Sequence, residues 1–321
     1  MSSTTMTSPY SIPTTLDEWT LTASLADYSG TLVDNVYNSN VLLNLLKKNK
    51  RVIDGGNSIA VQLLKEEQND GGWYLGADTL NTAQGNYITH CEYKWQNCYE
   101  PIVIHRDEER QNSGNQHKII DLAASKTMSS EKAIAKRLEQ GLSVPVAGSG
   151  NLIDIDTLVD TGTLGSIAGS AYTFWQATET ISGTFATQGL SDMTTATYAV
   201  SGSADEELPS VYLTTKTVFQ KFEQTRLPLE RIQNRDLTAN AGFKNLTFKG
   251  IPVMYGNYIG SGKMYGLNLN YVYLAVDSMT DMAMTEFRTP VNQTIKVAYI
   301  LWRGNLVTDN RRRNFKLQSI S

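Results

Sequence analysis

Between Gly71 and Leu142 the chain has an order of elements that few folds can use. A Gly-rich turn (Gly71, Gly72, Trp73) and a polar run of small residues lead into alternating strand residues. Those strands end in the charged segment His105 to Arg110, and one long amphipathic helix follows. Tyr87, Thr89, Cys91, Tyr93 and Trp95 share one parity, with His90, Glu92, Lys94 and Gln96 on the other, which is the period of a half-buried strand. The apolar parity then moves to Cys98, Ile102 and Ile104, predicting a bulge or bend near Asn97. Ser113 and Gln116 fit a capping box. The helix predicted from Asn115 to Leu142 carries Ile119, Ile120, Ala123, Ala124, Ile134, Leu138 and Leu142 near one face, with Gly141 and Pro145 as its stop. About 27 residues would span roughly 40 Å at about 1.5 Å each, with Met128 to Ser130 as the place for a kink. A long ribbon feeding a single long helix is a poor frame for an enzyme pocket. It suits a subunit that reaches across to its neighbours.

The rest of the chain reads as α+β. Residues 1–15 form an arm rich in Ser and Thr. Leu32, Val36, Val41, Leu42, Leu45 and Leu46 have helical spacing and run into Lys47, Lys48 and Lys50, whose charges suit a last helical turn better than a nucleic-acid contact. Arg51 to Gly56 reads as a turn, and Ile59, Val61 and Leu63 alternate as a strand. Asp154 to Leu164 reads as a short helix, Ala171 to Thr187 as strand or loop, and Ser210 to Leu227 as a helix. Phe243 to Tyr258 alternates around a turn at Lys249-Gly250, Tyr265 to Val276 reads as one strand, and Thr294 to Arg303 and Arg312 to Ile320 as extended segments. No internal repeat is evident.

Composition narrows the function classes. With 321 residues, 40% hydrophobic and 19% charged, the chain is globular and long enough for about two domains. Its net charge of −4 gives it none of the basic surplus of a dedicated nucleic-acid binder. Cys91 and Cys98 would stand about 23 Å apart on an extended strand at roughly 3.3 Å per residue, so both are expected as free, buried thiols. Neither a signal peptide nor an apolar run of membrane-spanning length is visible.

The candidate chemical motifs fail on their own terms. Gly260-Ser-Gly-Lys263 is similar to a phosphate loop, but Asn257 and Met264 occupy the positions of the required Gly and hydroxyl, and strands flank it. Asp154, Asp156 and Asp160 lack the Gly of a calcium loop and are read as acids at a helix N-terminus. His90, His105 and His117 fall in no metal-ligand spacing. Arg106, Asp107, Glu108, Glu109 and Arg110 form the densest charge cluster, read as solvated or intersubunit charge rather than paired catalytic carboxylates. No catalytic, cofactor or metal residue is nominated.

Pro209, Ser210, Thr214 and Thr215 make a Pro-Ser-x-x-x-Thr-Thr stretch at the start of the helix predicted for the second half. The stretch Phe243-Lys-Asn-Leu-Thr-Phe-Lys-Gly-Ile-Pro-Val253, followed by Tyr265-Gly-Leu-Asn268, is similar to phrases that recur in the major capsid proteins of tailed bacteriophages. From about residue 35 to the end, the order of elements also resembles that family and its Hong Kong 97-type fold. The resemblance implies an N-arm at 1–50, a peripheral (P) domain strand at 51–65 and an E-loop hairpin at 66–112. It implies a P-domain spine helix within 113–145, a mainly axial (A) domain at 146–280, and returning P-domain strands with a C-terminal A-domain strand at 281–321.

The function implied is a major capsid protein, not an enzyme, that self-assembles into hexamers and pentamers of an icosahedral shell enclosing double-stranded phage DNA. The implied partners are further copies of the chain, a separate scaffolding protein, a portal and a decoration protein. Packaged DNA would be held non-specifically, and no cofactor or membrane is expected. The implied location is the virion capsid, assembled in the host cytoplasm. Trp73, Tyr74, Leu75, Tyr93 and Trp95 are the E-loop residues expected at the subunit interface, and Arg106 to Arg110 the interface charges. Arg311, Arg312 and Arg313 are expected as a basic cluster, salt-bridged within a strand or to a neighbour in the favoured reading, with contact to packaged DNA as the other. Some relatives join an E-loop lysine covalently to a P-domain asparagine. Lys65 and Lys94 match no such position, and no crosslink is expected. The alternatives are an encapsulin-type compartment of the same fold, or a phage decoration, tail or carbohydrate-binding protein.

Overall fold

The structure is a computed structural model that describes residues 40–66, 71–81, 85–112, 122–145, 152–201, 207–233, 246–291 and 293–321. Most of the expected N-arm, the capping box at 113–116 and residues 243–245 lie outside the described residues. In chain order the first elements are α1 (Val41–Lys48), β1 (Lys50–Ile53), β2 (Ser58–Leu64), β3 (Ile88–Lys94), β4 (Gln96–His105), α2 (Arg106–Asn112), α3 (Leu122–Ser143) and α4 (Ile155–Leu158). Then follow β5 (Thr178–Ile181), α5 (Leu190–Ser201), β6 (Val211–Thr214), α6 (Lys216–Gln233), β7 (Thr247–Phe248) and β8 (Ile251–Tyr255). The last are β9 (Met264–Leu267), β10 (Val272–Asp277), β11 (Ala283–Met284), β12 (Ile295–Thr308) and β13 (Phe315–Gln318). The chain divides into two compact units, one from residues 99–134 and 284–301, the other from residues 39–98, 135–283 and 302–321.

The larger unit holds a six-stranded sheet in the order β5-β13-β9-β6-β8-β7. β6 is parallel to β8 and antiparallel to β9, so both its edges are paired. Val211, Tyr212, Leu213 and Thr214 are therefore all buried, and the strand shows no alternation. This corrects the helix expected from Ser210: the helix starts at Lys216, after a strand whose continuous apolar run periodicity alone does not separate from a helix. α5 and α6 close the core, where Phe185, Met193, Val218 and Phe222 meet Tyr212, Phe248 and Phe315. The Tyr212 ring lies 5.9 Å from both Phe248 and Phe315.

Several other expectations change here. α5 was not anticipated, because its inward face mixes Met193, Ala196 and Val200 with Thr197, whose hydroxyl is satisfied by Met193 O at 2.6 Å. The single strand expected from Tyr265 to Val276 is two strands of different sheets. Asn268 breaks it: its side chain accepts from Asn270 N at 3.1 Å, an Asx turn. Residues 51–53 belong to β1, parallel to β10, and the turn is confined to the residues that follow, where Gly55 and Gly56 have positive φ. The short helix near Asp154 is one turn, capped by the Asp154 carboxylate accepting from Thr157 N at 3.0 Å. At Arg311–Arg313 the chain makes a 3-10 turn before β13, rather than one extended segment. The parity switch expected near Asn97 falls between Trp95 and Gln96, where β3 gives way to β4. α3 runs through Met128 to Ser130 without interruption.

α1 has no side-chain cap of its own. Leu42 N and Leu43 N donate instead to the buried Glu139 carboxylate of α3, at 3.1 and 2.6 Å. Burial raises the Glu139 carboxyl above its usual range, against the lowering effect of those two N–H groups. A raised folded pKa means that the fold binds more protons than the unfolded chain, so this group's contribution to stability falls as pH rises from about 4.5 through the folded value. Glu139→Gln is expected to remove that slope, read as a flatter dependence of the denaturation midpoint on pH.

In the smaller unit β4 pairs with β12. Two carbonyls of β4 are covered by side chains of α3: Lys126 Nζ donates to Val103 O at 3.0 Å and Ser130 Oγ to Pro101 O at 3.3 Å. The ladder of β12 extends beyond β11, through Thr285 N to Tyr299 O at 2.9 Å and a bridge between Arg288 and Val297.

Candidate assembly surfaces

β2 and β3 form a two-stranded antiparallel ribbon from Ser58↔Lys94 to Leu64↔Ile88, prolonged by Lys65 N donating to Tyr87 O at 2.7 Å. Alternation gives it one buried face, with Ile59, Leu63, Cys91 and Tyr93. Its base is fixed three times within the larger unit. Tyr93 OH donates to Thr308 O at 3.0 Å, Glu92 N to Gly165 O at 3.0 Å, and Asn305 Nδ2 to Lys94 O at 2.8 Å. Burial pushes the Cys91 thiol up to about 11, so it stays protonated and inert. Gly165 has φ +58°, and a Cβ there would lie 1.9 Å from Cys91 Sγ. Gly165→Ala is therefore expected to cost roughly 2–4 kcal/mol, from a left-handed backbone and an overfilled core, read as a lower denaturation midpoint.

The far end of the ribbon is different. Residues 71–81 form neither helix nor strand, and Leu75 N donates to Asp78 Oδ2 at 2.9 Å as a local clasp. Trp73 is fully exposed, Tyr74 is 66% and Leu75 86% exposed, and Leu80 also faces solvent. Burying each large side chain would gain roughly 1.5–3 kcal/mol, so three in sequence held in water form an apolar surface that the described residues leave uncovered. Leu64 and Ile88, paired across the strands, extend this apolar surface onto the outer face. Ile88 shares parity with His90, Glu92 and Lys94 on the outer face of its strand, and Leu64 lies opposite it.

The other interface candidates separate on burial. Tyr93 is buried in the subunit's own core, which corrects its expected place at an interface. Trp95 is half-buried under the Arg303 guanidinium, 4.9 Å from its ring, and so is already partly covered within the chain. In α2, Arg106, Asp107 and Arg110 are exposed, while the Glu109 side chain lies outside the described residues. Glu108 is not an exposed interface charge: it is 4% exposed, accepts from His105 N at 3.1 Å and pairs with Lys126.

The arginine cluster also divides. Arg311 is fully buried, its guanidinium donating to Leu158 O (2.8 Å), Gly162 O (2.6 Å), Thr157 O (2.8 Å) and Trp175 O (3.3 Å). It therefore faces neither DNA nor a neighbour. Arg313 bridges to Glu207 at 2.6 Å, and Arg312 alone is exposed.

A second charged group lies by Arg311. Asp156 meets Lys263 at 2.7 Å, Tyr265 OH at 3.0 Å and Lys316 at 3.3 Å. Burial alone would raise its carboxyl; those donors hold it below the usual range. Thr161 N donates to both Asp160 and Glu179, at 2.7 and 3.1 Å. The hydrogen bond between the two lowers the Asp160 carboxyl, while burial and that same bond raise Glu179. These carboxyls tie a one-turn helix to strand residues through fixed internal partners, a structural role. Among the described residues no group of His, Cys, Asp and Glu could hold a metal ion.

No protein-family model matches the chain, and no curated protein matches it. Solved structures do. The capsid asymmetric unit of Cyanophage A-1(L) aligns with a TM-score of 0.66 at 19% identity, covering 92% of this chain and 96% of that one. The capsid of Myoviridae phage XM1 aligns at 0.57 and 13% identity, covering 92% and 97%. The holo-SrpI encapsulin complex from Synechococcus elongatus aligns at 0.59 and 10% identity, covering 94% and 95%. Coverage of nearly the full length on both sides means that the whole architecture, not one motif, is shared. The chain has the Hong Kong 97-type capsid fold.

Proposed function

We propose that the chain is the major capsid protein of a tailed bacteriophage, a structural subunit that assembles with further copies of itself into the pentamers and hexamers of an icosahedral shell. The observation that carries this reading is the pairing of a rigidly based ribbon with an exposed Trp73-Tyr74-Leu75 tip, in a chain whose fold is shared with phage capsids. A fixed base and an apolar end are what a docking arm needs: the anchor limits the entropy lost on docking, and the aromatic side chains supply the contact energy. On this reading residues 66–112 are the E-loop and 113–145 the region of the spine helix. Residues 146–280 are then mainly the A domain, and β12 is the returning P-domain strand. Weak contacts repeated by symmetry add up to a closed particle. Double-stranded DNA would be enclosed without sequence-specific contact, consistent with a net charge of −4.

The similarity to an encapsulin favours one second reading, a shell around a protein cargo. Sedimentation velocity of the purified chain tests assembly itself: fast-sedimenting particles are expected, and a species that remains a monomer at every concentration and salt would refute it. Nuclease-protected DNA in particles from an infected host would separate a phage shell from one that retains an enzyme.

A further inference from the structure

The turn that joins β1 to β2 reads Asp54-Gly55-Gly56-Asn57. Asp54 is exposed, and among the described residues its carboxyl has no hydrogen-bond or ion-pair partner. Gly55 has φ +63°, and a Cβ there would meet nothing within 4 Å, so that side of the Asp54–Gly55 peptide is open. The fold brings up a third group from far along the chain. β1 runs parallel to β10 with Ile53 opposite Asp277, and Ser278 N donates to Ile53 O at 3.3 Å. That register sets the buried Asp277 carboxylate beside Gly55, whose N–H donates to Asp277 Oδ1 at 3.4 Å. Thr280 Oγ1 donates to the other oxygen, Oδ2, at 2.8 Å and fixes the orientation of the carboxylate.

We propose that Asp54-Gly55 is a site of spontaneous covalent rearrangement, at which the aspartyl bond becomes an isoaspartyl one. Gly55 N attacks Asp54 Cγ and closes an imide ring. The N–Cγ bond forms, and the amide proton passes to Asp277 Oδ1, which returns it to the departing hydroxyl of the Asp54 carboxyl, so that water is lost. Water then adds back to the imide. Opening at the former side-chain carbonyl restores the original bond, and opening at the main-chain carbonyl leaves Gly55 joined through Asp54 Cγ. The product has the mass of the starting chain, and no co-reactant besides water is consumed. Ring closure within one chain needs orientation but no encounter. A carboxylate in contact with the attacking nitrogen serves as its general base. Asp54 Cβ then becomes part of the main chain, lengthening the turn where the chain enters β2. The same turn carries Gly56 O, which accepts from Arg303 Nη2 at 3.5 Å, so the change reaches the base of the ribbon. The site stands on this geometry and does not depend on the shell reading.

The test uses the full chain, incubated warm at neutral pH, digested with trypsin and read by liquid chromatography with mass spectrometry. The peptide from Val52 to Lys65 carries the site. The peptide from Glu66 to Lys94 carries the other Asp-Gly pair of the sequence, Asp70-Gly71, as an internal reference. The expected result is a second form of the first peptide with unchanged mass, which isoaspartyl methyltransferase labels, beside a minor form lighter by the mass of water. Asp54→Ser, which replaces an exposed carboxyl, should abolish both forms. Asp277→Asn keeps an acceptor for Gly55 N and Thr280 Oγ1 but loses the proton acceptor. It should slow conversion at Asp54 by about tenfold, at the low end for a general base because the contact is long. The rate at Asp70 should not change. No isoaspartyl form at Asp54 in the natural sequence would overturn the proposal. So would a rate at Asp54 that Asp277→Asn leaves unchanged or raises, or rates at Asp54 and Asp70 that change together.

Discussion

Trp73→Ala combined with Tyr74→Ala is expected to leave a folded, soluble subunit that no longer forms particles. Both side chains lie in water within the subunit, so their removal takes nothing from its core. At an interface, truncating an aromatic anchor costs about 2 kcal/mol or more, a factor of roughly 30 in each pairwise dissociation constant. Every copy in a shell makes that contact, so the loss recurs at each docking site. The measurement is the particle fraction by sedimentation beside the denaturation midpoint of the monomer. An unchanged particle fraction would remove residues 71–81 from the assembly surface. An Asp78→Ala variant, which loses only the local clasp on Leu75 N, should give an intermediate fraction.

Arg311→Met is expected to have the largest effect on stability. The substitution keeps much of the side chain's bulk but leaves the carbonyls of Thr157, Leu158, Gly162 and Trp175 without their donor in the interior. Breaking a buried charged network of this kind costs about 3–5 kcal/mol, a large part of the stability of most domains. Insoluble expression, or a sharply lowered denaturation midpoint, is the expected outcome. Arg311→Lys should rescue little, because an ammonium cannot serve carbonyls spread around a planar fork. By contrast Arg312→Ala, one residue on and exposed, should stay within about 0.5 kcal/mol of the natural sequence. Equal effects at the two positions would refute the buried network.

The contrast between Arg311 and Arg312 shows where the sequence was legible. Period-2 alternation correctly oriented β3, because one face of that ribbon is buried and the other wet. Trp73, Tyr74 and Leu75 were placed at a surface by the family resemblance, and they are exposed in the subunit. Parity also put Tyr93 on the apolar face, but it does not say whether such a face meets the subunit's own core or a neighbour. Strand β6 was misread because a strand paired on both edges and covered on both faces loses its alternation. The arginine run looked like surface charge because nothing local reveals that Arg311 would gather carbonyls from residues about 150 positions earlier, Leu158 among them.

The most direct measurement is electron-microscopic imaging of the purified chain, taken to a reconstruction. Closed shells with five- and six-fold capsomers are expected, with the 71–81 segment of each copy seated on an adjacent copy. Monomers or small open oligomers at every concentration and salt, or shells in which Trp73 and Tyr74 remain in solvent, would contradict the account.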